Sequence, residues 1–392
     1  KLNKTGGQAA MENPFVPSFG NRPAHIVGRK QLVHSLLKGL NRPIGSRERC
    51  TLILGQRGMG KTALLLEIAA QARKKQWIVA RVSAGPSMLD DIIDAVQVEG
   101  TSHLSRNPSH LSGVSAGALG LSVGLSFTKE ANENYGFRTK LSLLCDRLME
   151  AELGVLVLID EVQPNSDQMR QFASTYQLLI GDGKNLAVVM AGLPGAISNV
   201  LNDEVLTFLN RASKEWLEAL AIGQVNAHYT TTFSRLGITA SHELVKEAAS
   251  STQGFPYLLQ LVGYYLVEYS GGTSITREVL NNALESALED LDHNVFEATL
   301  RPLSKGDIEF LCAMAPDGNL STTANVQRRL GGDKNRVQPY RARLIDAGVI
   351  SSPRRGELEF AVPYLNDYLM RRYHLSSNQE QDNLTHRAIN NL

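Results

Sequence analysis

The sequence is poor in several features that mark specialised proteins. Three of its 392 residues are cysteine, Cys50, Cys145 and Cys312. They lie too far apart for a metal-ligand pair or a disulfide framework, so a reducing, cytoplasmic setting is expected. No uncharged run has the composition of a spanning helix: the longest, residues 107–128, is broken by Gly, Ser and Pro108. The first ten residues lack the apolar stretch of a secretion signal, and none is expected there. Charge of one sign is not in excess, with 40 Lys and Arg against 39 Asp and Glu and a net charge of +1. Any affinity for nucleic acid is therefore local rather than global. The nine histidines show no ligand-like pairing, and neither a metal cage nor a Ser-His-Asp constellation can be read.

What is present is ordinary globular material, 43% hydrophobic and 20% charged, in a length suited to two or three domains of about 150 residues. Residues 1–24, with Pro14, Pro17 and Pro23 among glycines, read as an irregular arm. From His25 short apolar strands alternate with helices: Cys50–Leu54, a helix from Lys61 to Lys74, Trp77–Val82, a helix from Arg138 to Glu150, Val155–Ile159 and Leu186–Met190. This is the rhythm of βαβ units around a parallel sheet, an α/β core over residues 25–233. The segment Leu119–Phe127 is apolar at every second position, which predicts a hairpin insertion over residues 100–129.

Residues 234–300 turn helical and read as a lid subdomain. Tyr257, Tyr264, Tyr265 and Tyr269 recur there at helical spacing, which favours core and interface over a base-stacking platform. Over residues 301–375 three short helices, Leu303–Ala315, Ser321–Leu330 and Asn335–Ala347, precede a hairpin centred on Gly356, the outline of a winged helix. The polar tail 376–392 reads as disordered.

The strongest motif is Gly55-Gln56-Arg57-Gly58-Met59-Gly60-Lys61-Thr62, a phosphate loop in its required place between strand and helix. Glycines let backbone N–H groups face phosphate oxygens, and the helix N-terminus favours negative charge. Lys61 would meet the β and γ phosphates, and Thr62 would supply a hydroxyl to Mg²⁺. Some hundred residues downstream, Val155–Ile159 ends in Asp160 and Glu161. Asp160 suits the Mg²⁺ shell, and Glu161 suits orienting or deprotonating an attacking water. ATP with Mg²⁺ is the expected ligand, and hydrolysis the expected reaction.

Taken together, the loop, the Leu158-Ile-Asp-Glu-Val-Gln163 segment, the helical subdomain and the winged-helix outline resemble the AAA+ and STAND superfamily. In outline the chain is most similar to ATPases of the archaeal and eukaryotic origin-recognition type. The resemblance implies an adenine site near His25, Val27, Gly28 and Arg29, although Gly28-Arg29 also reads as a plain turn into a helix. It implies an arginine finger at Arg211, and hence a homo-oligomer, and a lid contact to nucleotide through Gly254 and Pro256. Two departures stand out. The strand Leu186–Met190 ends Met190-Ala-Gly192 where relatives carry a polar sensor, and no arginine stands in Gly254-Phe-Pro256. Both imply slow turnover, a switch rather than a motor.

Between Arg328 and Arg355 eight basic residues face two acidic ones. In a winged helix the third helix enters the major groove and the hairpin touches the adjacent backbone. That assigns Arg336, Arg341 and Arg343, with Gln338 and Tyr340, to the helix and Arg354 and Arg355 to the wing, with duplex DNA as partner. The alternatives are a signalling ATPase whose winged helix is a brake or a docking site for a protein partner, and a nucleotide-binding scaffold without hydrolysis.

Overall fold

The computed structural model describes residues 12–17, 26–106, 125, 127, 129–163, 166–204, 206–331 and 334–375. By its internal contacts the chain forms two bodies. One comprises Arg29–Gly55 with Lys61–Leu217; the other comprises Glu218 onward with Gln56–Gly60 and the described residues before Arg29.

In the first body the elements run α1 (Lys30–Leu40), β1 (Cys50–Leu54), α2 (Lys61–Arg73), β2 (Trp77–Ser83), α3 (Met88–Arg106), α4 (Lys129–Asn134), α5 (Phe137–Met149), β3 (Gly154–Asp160), α6 (Asp167–Gly181), β4 (Leu186–Gly192), α7 (Pro194–Leu201) and β5 (Ser213–Trp216). The five strands form one sheet in the order β2-β3-β4-β1-β5, and every pairing is parallel. Parallel sheets are covered on both faces, which is why β1, β3 and β4 are buried at every position and read as unbroken apolar runs. The strand β5 is a different case. Its sequence, Ser-Lys-Glu-Trp, is short and polar because it borders only β1, and Trp216 stands 61% exposed there. Nothing in the sequence pattern announced it.

The stretch expected to open a hairpin at Gly100 is instead the last part of α3, which continues to Arg106. Ile92, Ile93, Val96 and Leu104 are buried along it, a helical spacing that Gly100, itself buried, continues. The remainder of that hairpin, 107–124, lies outside the described residues; Leu125 is buried in the core of this body. The proposed disordered tail, 376–392, also falls outside them.

The second body carries α8 (Ile222–Arg235), β6 (Thr239–Ala240), α9 (His242–Ser251), α10 (Pro256–Ser270), β7 (Ser274–Ile275) and α11 (Arg277–Leu291), followed by a π turn (Asp292–Phe296) and α12 (Glu297–Leu300). The helical region thus begins at Ile222, earlier than the Ser234 the periodicity indicated. Side-chain caps set two of its boundaries and that of the next module: Ser241, Thr276 and Ser304 each accept a backbone N–H three residues on.

Beyond Ser304 come α13 (Lys305–Met314), β8 (Leu320–Thr322), α14 (Thr323–Arg329), α15 (Lys334–Asp346), β9 (Ile350–Ser351), β10 (Glu357–Phe360) and α16 (Leu365–Arg372). The three helices fall where expected, and β9 with β10 forms the hairpin around Gly356, whose φ is +84°. A third strand, β8, pairs antiparallel with β10 and takes the residues expected to start the second helix.

This C-terminal module is locked by a buried ion pair. Arg329, its side chain 5% exposed, donates to Asp317 at 2.7 Å and to the Ala313 carbonyl at 2.8 Å. The other carboxylate oxygen of Asp317 accepts from Ser321 and Asn325. Arg329 is therefore interior and drops out of the basic patch. Burial alone would raise the Asp317 pKa, but hydrogen bonds from Arg329, Ser321 and Asn325 overcome it and hold the carboxyl below its usual value of 3.8.

A depressed carboxylate adds stability above its unfolded pKa and loses it as pH falls through the folded one. The lock should therefore be complete at neutral pH and fade below about pH 4. Asp317→Ala strands the guanidinium and is expected to cost about 3–5 kcal/mol in urea unfolding at pH 7. The difference from wild type should shrink at pH 3.

Candidate functional site

In the first body, β1 delivers the chain to Gly55, whose N–H donates to the Gly192 carbonyl at the end of β4, 3.3 Å away. Lys61 opens α2, so it sits where the helix leaves backbone N–H groups without helical partners. Its Nζ turns back and donates to the Gly55 carbonyl at 2.8 Å. Thr62, one residue on, donates from Oγ1 to Oδ2 of Asp160 at 2.7 Å. Asp160 ends β3, which is separated from β1 by β4 alone. The hydrogen bond therefore reaches across one strand and ties the two sequence motifs together.

Asp160 is 5% exposed, and its second oxygen accepts from the Glu161 N–H at 3.0 Å. Glu161 itself is exposed and has φ +54°, a left-handed conformation that non-glycine residues avoid. Such strain persists where the surroundings enforce it. Here Asp160 holds the Glu161 amide, and the next amide, of Val162, donates to Ala191 of β4 at 2.9 Å. The left-handed step turns the chain sharply at the strand tip while the Glu161 carboxylate stays in solvent. At the matching tip of β4, Met190 is buried between its register partners Leu52 and Ile159. No polar side chain stands at that position.

The second body contains the loop residues Gln56–Gly60. Gly58 and Gly60 have φ of +76° and +80°, which only glycine adopts without strain. A Cβ on Gly58 would lie 2.3 Å from the ring of Phe255, so the aromatic ring rests directly on the loop backbone. Phe255 is the residue before α10, with Pro256 at the first helical position. Gly254 precedes it with φ +72°; a Cβ there would meet the Leu220 carbonyl at 2.2 Å, and its own carbonyl accepts from the Leu220 N–H at 2.8 Å.

Sequence reading singled out Gly254 and Pro256 and passed over the phenylalanine between them. The signal was a ring flanked by two backbone specialists. Gly28 is also left-handed, at +69°, against Leu220 and Gln224 of this body, and Val27 is half-buried. His25 lies outside the described residues.

The remaining residues are spread out. Arg29 is half-buried at the head of α1. Arg211 is exposed at the end of a short 3-10 turn, Thr207–Arg211, just ahead of β5. Arg336 lies on α15. Arg341, on the same helix, donates to Ser352 at 2.9 Å. Arg343 is committed elsewhere: it donates twice to Asp307, at 2.9 and 3.2 Å, with its guanidinium 4.7 Å from the Tyr340 ring centre. Arg354 and Arg355 are exposed in the turn between β9 and β10. Among the tyrosines, Tyr265 donates to Asp290 of α11 at 2.7 Å and Tyr269 pairs with Ser286. These rings therefore pack between helices, as the spacing indicated.

Comparison with known proteins supports the nucleotide-binding architecture. Residues 25–216 match the AAA ATPase domain, and residues 293–369 match a domain of unknown function, DUF8462. No curated relative matches the chain in sequence. Among solved structures it is similar to the Walker-type ATPase PABY2304 of Pyrococcus abyssi, with 15% identity and TM-score 0.65, covering 88% of this chain and 96% of that one. It is also similar to the ORC2 protein of Aeropyrum pernix in its ADPNP and ADP complexes, with 15% identity and TM-score 0.61, covering 95% of this chain and 97% of the other. At such identity the likeness is one of fold alone, an AAA+-type core built on a five-stranded parallel sheet.

The ring on the loop makes a direct prediction. Gly58→Ala combines a forbidden φ with a clash and should destabilise the protein in thermal unfolding. Adding Phe255→Ala removes the clash, so the double variant should be less destabilised than the sum of the singles, by about 0.5–3 kcal/mol in a double-mutant cycle. Strict additivity would show that loop and ring do not press on one another.

Proposed function

We propose that the chain is an ATP-binding, slowly hydrolysing AAA+ switch that engages duplex DNA through its C-terminal module within an ATP-regulated assembly. The observation that carries the nucleotide part is the hydrogen bond from Thr62 to Asp160 beside Lys61, in a sequence motif whose Gly58 and Gly60 are left-handed. The residues fit the group. Positive-φ glycines open backbone N–H groups toward an anion, Lys61 brings the charge that β and γ phosphates require, and Thr62 and Asp160 offer the paired oxygens a hard divalent cation takes. Mg²⁺ bound there supplies charge neutralisation on the phosphates. Glu161, exposed beside Asp160, is placed to orient or deprotonate a water.

Slow turnover is supported by the apolar tip of β4, where Met190, Ala191 and Gly192 provide no polar side chain for the reacting phosphate. Arg211, exposed on its 3-10 turn, is available to a neighbouring copy as an arginine finger. The fold of α13 to β10, three helices and an antiparallel sheet with two arginines at a hairpin turn, supports a winged helix with Arg354 and Arg355 on the wing. Arg336 and Arg341 lie on its third helix; Arg343 reaches DNA only by giving up Asp307.

A second reading has its own support. Tyr364 donates to the Ser251 carbonyl at 2.6 Å, and Arg371 of α16 pairs with Asp292 of the π turn at 2.9 Å. Both contacts fasten the module to the helical subdomain, as a brake would be.

Titration calorimetry with Mg-ATP tests the first premise. Lys61→Ala should abolish binding, whereas Glu161→Gln should retain ATP and lose turnover; folded wild type without Mg-dependent affinity overturns the nucleotide reading. Duplex binding measured across salt concentrations tests the second. Arg354→Ala with Arg355→Ala should reduce the salt slope by about 2. If that slope is unchanged and Arg371→Ala raises ATP turnover, the brake is the better account.

A further inference from the structure

The turn that carries Arg354 and Arg355 is exposed, yet it is held from several sides. Pro353 fixes φ and brings no N–H, and Gly356 supplies the left-handed step at φ +84°. The Glu357 N–H closes the turn on the Arg354 carbonyl at 3.0 Å, and the Gly356 carbonyl accepts from Thr323, the first residue of α14, at 2.9 Å.

The remaining hold is a side chain. Ser352, half-buried just after β9, places its hydroxyl within 3.2 Å of the Arg354 carbonyl and 3.0 Å of the Glu357 carbonyl. A hydroxyl has one proton and two lone pairs. The proton is shared between the two carbonyls, and a lone pair accepts from Arg341 of α15 at 2.9 Å. One small side chain thus ties the hairpin turn to the third helix.

Arg341 differs from the other arginines that turn inward in this module. Arg329 and Arg343 are neutralised by Asp317 and Asp307. Arg341, half-buried, has no carboxylate partner among the described residues, and its Nε is covered without an acceptor. A guanidinium carries its donors in a rigid fork; here a neutral hydroxyl sets the direction of that fork and leaves its charge uncompensated. A side chain fixed in advance loses less freedom when it binds. Such a cation suits an anion whose own position is fixed, and the phosphates of a duplex backbone recur at fixed spacing.

We propose that Ser352 is a positioning residue for duplex DNA: it presents the Arg341 guanidinium and the Arg354–Arg355 turn to backbone phosphates as one preformed unit, with Arg341 meeting a phosphate and Ser352 meeting none. The inference rests on the DNA reading given above.

Because Ser352 is uncharged, its loss separates positioning from charge. Duplex binding is measured across salt concentrations with the full chain. Ser352→Ala should weaken binding about tenfold and lower the salt slope by about 1, as if a cation had gone although none has. Ser352→Thr, which keeps the hydroxyl, should bind as wild type does. Arg341→Ala should also lower the slope, and the double variant should bind at least about threefold tighter than the product of the two single losses predicts. A serine that only stabilised the hairpin would leave the slope unchanged and act alike in both backgrounds. If Ser352→Ala does not fold, Arg341→Lys decides instead: it keeps the charge and loses the fork, so weaker binding is expected and wild-type binding overturns the proposal. Wild type that binds duplex, with Ser352→Ala matching it in affinity and slope or with additive losses, overturns the proposal alone. Wild type with no salt-dependent affinity for duplex overturns the DNA reading and the proposal together.

Discussion

The hydrogen bond between Thr62 and Asp160 depends on the order of three strands. Because β4 lies between β3 and β1, the end of one apolar run and the start of a helix after another are brought within 2.7 Å, although they are far apart in the chain. Shifting any of the three strands by one residue would turn its side chains to the other face and separate the pair. The sheet resists that because β1, β3 and β4 are buried throughout, so the slip would have to rearrange the core on both faces. The precision of the site is thus borrowed from hydrophobic packing rather than from its own polar groups.

The loop belongs to a second set of constraints. Its glycines are fixed by Phe255 at the head of α10, and Phe255 is fixed by the left-handed Gly254 bonded to Leu220. The helix that touches the loop at its first residue holds the N-terminal arm further along, through Gln260, Gly263, Tyr264 and Glu268. One helix thus carries two contacts of different character, a ring on backbone at one end and a peptide in a groove along its length.

Much of this was legible where physics leaves a local trace. The runs at Cys50–Leu54, Val155–Ile159 and Leu186–Met190 were readable because strands buried on both faces must be apolar throughout, and the phosphate loop because its chemistry dictates residue types at fixed spacing. The edge strand β5 and the strand β8 left no such trace; they are short and partly exposed. Phe255 was hidden because an apolar residue before an apolar helix looks like core whichever neighbour it meets. The charge count near the C-terminus misled in part, because a sequence does not say which arginines are already spoken for. Arg329 is interior, and Arg343 is held by a carboxylate more than thirty residues away.

The bond from Lys61 back to Gly55 has a consequence for selectivity. An ammonium that hangs in open water can be approached by any polar solute, but one resting on a neutral carbonyl has something to give up. Oxygens bearing full negative charge offer stronger hydrogen bonds than that carbonyl and displace it readily; a neutral sugar or a free base offers no such gain. Under the proposed function the lysine would act as a threshold, staying parked until an anion of sufficient charge arrives.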